Sequence, residues 1–208
     1  MPIDEDYLTR FKADLAVLSA SAMFDRYVNP DECRGLVDVD HLALRERISA
    51  RFQVDLRSVV IVGSAKIGFT LVTKKARRDQ AARPMFSPFY EGSDVDVAII
   101  SDRIFDEIWK DCLLFWHSSG YSDDYGYWRD RGVDFRSYHF RGWMRPDKLP
   151  TGGRFNYRNE WFDFFLQLTS ERAAGDYPVK AGVYREEFFL RTYQHVALEQ
   201  CRGRMAVI

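Results

Sequence analysis

The sequence predicts an α/β (α+β) fold in which a short mixed sheet is flanked by helices. Two apolar runs rich in β-branched residues, Val59–Val62 and Val95–Ile100, are typical of neighbouring buried strands. Segments with helical apolar periodicity precede and follow them. Hydrophobic residues make up 46% of the 208 positions, which is enough to build a substantial core. We therefore expect a single domain, 1–208, with its core at about 40–145 and a helical C-terminal part at about 155–204.

The helices are predicted from apolar residues spaced three or four apart. They are expected within 3–20, from Asp40 through Phe52, over 101–118, at about Asn159–Ala174 and at about Tyr184–Arg202. Asp40 would cap the second of these helices. Gly175 and Gly203 would end the last two. Two helices are thus expected before the first strand, separated by a turn-rich connection at 24–37.

The middle of the chain predicts a further strand. Residues 133–140 alternate between apolar and polar side chains, as a strand does when one face is buried. Prolines and paired glycines predict a loop at 141–153, and residues 121–132, rich in Tyr, Asp and Gly, predict an exposed loop.

Composition limits the functions that the whole surface can perform. The formal net charge is −1, so affinity for nucleic acid or membrane requires a local patch. No apolar run approaches the ~20 residues of a membrane span, and the acidic N-terminus is unlike a signal peptide. The cysteines, Cys33, Cys112 and Cys201, are odd in number and have no C-x-x-C spacing. We expect reduced thiols in a cytoplasmic protein.

Two short motifs carry the candidate chemistry. The first strand ends in Gly63-Ser64, and a glycine lets backbone N–H groups approach a bound anion closely. Lys66 could add a positive charge there. Asp94 and Asp96 are two residues apart at the start of the second strand, so both side chains leave from one face and could share a divalent cation such as Mg²⁺. The alternative is a pair of surface carboxylates that cap a turn.

A strand ending in Gly63-Ser64, followed by a strand that opens with Asp94-x-Asp96, resembles the polymerase-beta-like nucleotidyltransferase superfamily. The resemblance covers Ser58–Ile100. It implies transfer of a nucleoside monophosphate from a nucleoside triphosphate, ATP foremost, to a protein, an RNA or a small molecule such as another nucleotide. It also implies one or two Mg²⁺ ions held by Asp94 and Asp96. Small members of this superfamily include antibiotic adenylyltransferases, toxin–antitoxin partners and bacterial defence proteins.

Active members of the superfamily usually supply a third acidic residue from a later strand. Asp134 is the candidate here because apolar residues flank it on the strand predicted at 133–140. Asp147 and Asp163 are the alternatives. An absent third carboxylate would favour a catalytically inactive module of the same fold that binds nucleic acid or a partner protein.

The connection between the two motifs, residues 65–92, is longer than the superfamily usually has and is strongly basic. Its cationic residues are Lys66, Lys74, Lys75, Arg77, Arg78 and Arg83. Three interpretations remain open: a solvated loop, a flap over a triphosphate, or a nucleic-acid contact through residues 66–83.

Other polar and aromatic residues give weaker signals. The histidines, His41, His117, His139 and His195, have no mutual metal-ligand spacing. The aromatic group Tyr121, Tyr125, Tyr127 and Trp128 could stack on a base or fold onto the core. Arg141, Trp143 and Arg145 could contact a base or phosphate, or pack against the C-terminal helices.

Overall fold

The structure is a computed structural model that describes residues 4–74, 82–90, 92–118, 135–149 and 156–206. The chain has a mixed α+β fold with a small four-stranded mixed sheet between helices. The predicted fold class is confirmed at this level.

The elements are numbered in chain order. The helices are α1 (Glu5–Val17), α2 (Ala20–Tyr27), α3 (His41–Phe52), α4 (Gly63–Ile67), α5 (Asp102–Ser118), α6 (residues 135–140), α7 (Asn156–Ser170) and α8 (Glu187–Met205). The strands are β1 (Val59–Val62), β2 (Val95–Ile100), β3 (Trp143–Met144), β4 (Ala173–Asp176) and β5 (Val179–Tyr184). Short 3₁₀ turns at Leu56–Ser58 and Pro146–Lys148 complete the described structure.

The sheet has the strand order β1-β2-β5-β3. The pair β1–β2 is antiparallel, with Val62 opposite Asp96. The pair β2–β5 is parallel, with Asp96 opposite Lys180, and β3 closes the sheet antiparallel to β5. Strand β4 lies outside this order. The two predicted strands therefore occupy adjacent positions, as expected.

The two faces of the sheet differ in their cover. One face, here called the core face, carries Val59, Ile61, Val95, Val97, Ile99, Val179 and Val183, which pack against α3, α5 and α7 in the largest hydrophobic cluster. The opposite face, here called the site face, carries a smaller cluster of Val62, Ala98 and Tyr184, which Leu190 of α8 covers. Because side chains alternate along a strand, Asp94 and Asp96 belong to the site face.

The start of the chain has one more helix than the sequence predicts. Ser19 caps α2 by accepting a hydrogen bond from the Ala22 N–H at 3.2 Å, so the first predicted helix divides and the second part extends into the expected turn region. Helix α3 begins as predicted, because the Asp40 carboxylate accepts from the Ala43 N–H at 2.9 Å. Three helices precede β1.

The strand predicted at 133–140 is wrong for its described part, because residues 135–140 are helical. Phe135 and His139 are one helical turn apart, and their rings lie 5.9 Å apart. Short alternating segments do not separate helix from strand well. The loop predicted at 141–153 is also wrong in part, because Trp143 and Met144 pair with β5.

The C-terminal part contains the two predicted helices, but two strands lie between them, and the predicted C-terminal ends of both helices are wrong. Helix α7 ends at Ser170, and Gly175 lies in β4 with a φ of +65°. Tyr184 closes β5 rather than opening α8, and Gly203 lies inside α8. The sequence does not predict β5, because Lys180 and Gly182 interrupt its apolar pattern. This strand forms the third position of the sheet, directly beside β2.

The described ends of the basic connection run antiparallel to each other. Isolated bridges join Phe69 to Pro88 and Lys74 to Arg83. Phe69 is buried in a cluster that it shares with residues of α1, α2 and α8. The base of this connection is therefore packed against helices, whereas Lys75, Arg77 and Arg78 lie outside the described residues.

Candidate functional site

The turn from β1 into α4 lies beside the Asp96 carboxylate. Gly63, the first residue of α4, has a φ of +68°, a conformation that L side chains rarely adopt. A Cβ built on Gly63 would lie 3.2 Å from Asp96 Oδ2. The glycine therefore keeps space open next to this carboxylate.

Asp94 lies close enough to Asp96 to influence its ionisation. Burial raises the pKa of Asp96 to about 6, and the neighbouring charge of Asp94 adds to that rise. Asp96 nevertheless remains accessible to solvent.

Asp94 differs from Asp96 because it has a lysine partner. The Lys180 ammonium donates to Asp94 Oδ2 at 2.5 Å. Burial raises the pKa of Asp94, but this hydrogen bond and the charges of Lys180 and Lys74 outweigh it and hold the pKa below its usual value. Lys180 comes from β5, so two adjacent strands build this ion pair.

Two further cations act on the acidic pair. The charges of Lys74 and Arg145 both lower the pKa of Asp96, against the larger effect of burial. Arg145 also forms a two-pronged ion pair with Asp147, at 2.9 and 2.8 Å. Positive charge from three segments of the chain therefore acts on Asp96.

A group of aromatic side chains, here called the aromatic wall, lies on the site face of the sheet. Trp143 stacks on Tyr184 with ring centroids 5.6 Å apart and planes 3° apart, and Tyr193 of α8 packs against Trp143 at 4.7 Å. The Arg145 guanidinium lies 5.5 Å from the Trp143 ring. The charge of Asp96 raises the pKa of Tyr193, after burial as the main cause. This wall therefore lies within electrostatic reach of the acidic pair.

The structure separates the other sequence-predicted residues. Ser64 follows Gly63 in α4, which packs against β2. Lys66 is buried, and its ammonium donates to the backbone carbonyl of Pro30. Burial lowers the pKa of Lys66, and the charged side chains that act on it include Asp31, Arg45 and Glu32. Lys66 is not brought to the acidic pair.

The candidates for a third carboxylate have different positions. Asp134 lies outside the described residues. Asp147 is ion-paired with Arg145, and Asp163 is exposed on α7, which packs on the core face. Within residues 4–74, 82–90, 92–118, 135–149 and 156–206, no group of three or more His, Cys, Asp or Glu side chains could hold a metal ion.

Two cavities lie away from the acidic pair. One, of about 200 Å³, is lined by residues that include Arg51, Arg103 and Trp161. The other, of about 320 Å³, is lined by residues that include Arg34 and Tyr177. Asp94 and Asp96 line neither of these two cavities.

No protein-family model matches the chain, and neither does any curated protein or any solved structure. In the described part of the chain, no helix is both long enough and apolar enough to cross a membrane. The three cysteines are buried and unpaired.

The arrangement places hard oxygen donors near cationic side chains. Two carboxylates can share a divalent cation, and the ammonium and guanidinium groups around them can contact phosphate oxygens. Sequence reasoning missed Lys180, which has the closest described contact with the pair. Its signal was the single charged position in V-K-A-G-V-Y, a short run that follows Pro178.

Proposed function

We propose that the protein is a Mg²⁺-dependent nucleotidyltransferase that moves a nucleoside monophosphate from a triphosphate, ATP foremost, to a protein, RNA or small-molecule acceptor. The observation that carries this proposal is the proximity of Asp94 and Asp96 on the site face, next to the open space that Gly63 leaves. The resemblance of Ser58–Ile100 to the polymerase-beta-like superfamily supports the reaction type.

The residues fit a divalent cation. Asp94 and Asp96 supply hard oxygen donors from the start of one strand, and the missing side chain at Gly63 leaves room beside Asp96 Oδ2. Bound there, Mg²⁺ would neutralise charge that develops on the phosphate oxygens. A second ion would need a further carboxylate, for which Asp134 remains the candidate.

The chain's own groups would hold the rest of the substrate. Lys180, Lys74 and Arg145 supply positive charge near the carboxylates, which suits the triphosphate. Gly63 would let the phosphates approach the backbone before Ser64. The wall formed by Trp143 and its aromatic neighbours would exclude water from one side.

Nucleotide binding tests this function. Calorimetric titration with a non-hydrolysable ATP analogue should show affinity that depends on Mg²⁺ and is lost in Asp94→Asn and Asp96→Asn. Release of pyrophosphate from ATP should follow the same pattern. Arg172→Gln is the matched control, because its ion pair with Asp176 lies at β4, outside the sheet. Equal affinity with and without Mg²⁺ would exclude the proposed reaction.

One observation favours a second candidate, a catalytically inactive module of the same fold that binds nucleic acid or a partner protein. Asp94 already has a cation, because Lys180 is ion-paired with it. A site stabilised in this way could hold polyanions without metal. Binding of single-stranded RNA that is indifferent to Mg²⁺, with no release of pyrophosphate, would support this candidate over the enzyme.

A further inference from the structure

The Lys180 ammonium contacts a carboxylate oxygen of Asp94 that a metal ion would also need. The Lys180 ammonium lies 2.5 Å from Asp94 Oδ2. A Mg²⁺ ion binds carboxylate oxygen at about 2.0–2.1 Å, so a cation at this oxygen would lie beside the ammonium. Two positive charges at such a separation repel each other strongly.

The Lys180 ammonium can separate from the Asp94 carboxylate at little cost in free energy. The Lys180 side chain is 63% exposed, whereas that of Asp94 is 26% exposed. An ion pair with an exposed lysine contributes little stability, and the four-carbon stem of lysine is flexible. The pairing is therefore strong enough to occupy the carboxylate and weak enough to be exchanged for a divalent ion.

We propose that Lys180 is an internal counter-ion of the Asp94–Asp96 pair that a divalent cation must displace, and that the displaced ammonium then binds the triphosphate. This inference rests on the proposed function for the identity of the second ligand. If Lys180 acts in this way, metal and triphosphate bind cooperatively, because each ligand favours the state in which the Lys180 ammonium is separated from Asp94. Such coupling is reciprocal: the factor by which the triphosphate raises metal affinity equals the factor by which metal raises triphosphate affinity.

Metal affinity measured without nucleotide tests the first half of this proposal, that a divalent cation must displace Lys180 from Asp94. Mn²⁺ serves as the probe, titrated at pH 7.5 and followed by electron paramagnetic resonance or calorimetry. Lys180→Met should bind Mn²⁺ more tightly than the parent, on the order of three- to tenfold, because a competing cation is gone. Lys180→Gln should behave similarly, and Lys180→Arg, which keeps the charge, should bind Mn²⁺ more weakly than Lys180→Met.

Controls separate the counter-ion from a general effect of charge. Lys110→Met removes an exposed lysine of α5 and should leave Mn²⁺ affinity unchanged. Asp94→Asn in the Lys180→Met background should abolish the gain. Equal Mn²⁺ affinities for the parent, Lys180→Met and Lys180→Gln would overturn the proposal.

The second half uses the same titration with a saturating non-hydrolysable ATP analogue. The analogue should raise Mn²⁺ affinity more in the parent than in Lys180→Met. If the factor is the same in both, the transfer of Lys180 to the triphosphate is excluded. If the analogue does not bind the parent at all, the proposed function fails and so does this second half, whereas the Mn²⁺ comparison still decides whether Lys180 is the counter-ion.

Discussion

Gly63 and Asp96 meet across the antiparallel β1–β2 pair, where the glycine backbone lies against the carboxylate. A Cβ added to Gly63 would lie 3.2 Å from Asp96 Oδ2, and the φ angle of Gly63 is +68°. Two demands thus fall on one position: a left-handed backbone and the absence of a side chain beside a charged group. Comparing a substitution at Gly63 with the same substitution at a second glycine distinguishes the effects of these two requirements.

Gly63→Ala should lose stability and divalent-cation affinity together. The left-handed backbone should cost about 1–2 kcal/mol with a Cβ present, and the new methyl group fills the space beside Asp96. For a chain of this size Tm should fall by about 2–4 °C for each kcal/mol. Thermal unfolding and Mn²⁺ titration measure the two effects. Gly63→Val should lose triphosphate binding more completely than Ser64→Ala.

Gly175→Ala is the matched control for backbone strain. Gly175 has a similar φ of +65°, but its Cβ would meet only Val39 at 3.5 Å and Tyr177 at 4.0 Å. This variant should lose similar stability and keep Mn²⁺ affinity. An equal loss of Mn²⁺ binding in both variants would mean that Gly63 acts only through the stability of the fold.

Asp96 should make the protein less stable as pH rises from about 4 to 6. Its pKa is raised from 3.8 to about 6, so the folded state binds more protons than the unfolded state between these values. The penalty is absent below pH 3.8 and complete above pH 6. Asp96→Asn should therefore have a higher Tm than the parent at pH 7.5, and this gain should vanish near pH 3.5.

The contribution of Asp94 to stability should depend on pH in the opposite direction. The pKa of Asp94 is lowered by Lys180, so its contribution is present above the unfolded pKa and is lost as pH falls through the folded value. Asp94→Asn should therefore be less stable than the parent at pH 7.5. A gain in Tm for both asparagine variants at this pH would contradict the assignment of Lys180 to Asp94.

Gly182 should tolerate no side chain, because Trp143 lies across it. A Cβ there would be 2.5 Å from Trp143 Nε1, so the indole must move off Tyr184. Gly182→Ala should cost about 1–3 kcal/mol and change the near-ultraviolet circular dichroism of the aromatic wall. In a Trp143→Phe background the cost should shrink, which a double-mutant cycle measures. Gly203→Ala, in open space on α8, should instead be neutral or stabilising.

Lys74 should link the basic connection to the acidic pair. Its charge lowers the pKa of both aspartates, although Lys74 itself is exposed. Lys74→Gln should raise the pKa of Asp96 further and weaken triphosphate binding severalfold, whereas Lys110→Gln should change neither. If the connection instead contacts RNA phosphates, the variant should lower the salt slope of RNA binding by nearly one unit and leave nucleotide affinity unchanged.

Sequence reasoning worked where the local pattern was strong. The runs Val59–Val62 and Val95–Ile100 predict adjacent strands because buried β-branched residues favour that structure. Asp40 predicts the start of α3 because an aspartate directly before a helical apolar pattern is typical of an N-cap. The period-two placement of Asp94 and Asp96 on one face follows from strand geometry alone.

The rest of the site depends on long-range pairing. Lys180 meets Asp94 only because β5 lies parallel to β2, and no local pattern in V-K-A-G-V-Y identifies that neighbour. Lys66 was assigned to phosphate from its proximity in sequence to Gly63, but α4 turns its side chain toward Pro30. Ser64 and Lys66 are two positions apart, which is about half a turn of helix, so their side chains point in nearly opposite directions.

The parallel pairing of β2 with β5 also determines when the site can form during synthesis. Val95 pairs with Val179, so most of the chain must leave the ribosome before β2 acquires this neighbour. Until then the nascent chain presents an unpaired strand edge, which other chains can join. Pairing between segments so distant in sequence is slow, because a large loop must close first. A ribosome stalled before residue 179 would therefore hold Asp94 and Asp96 without their lysine, on a half-built sheet that is prone to aggregate.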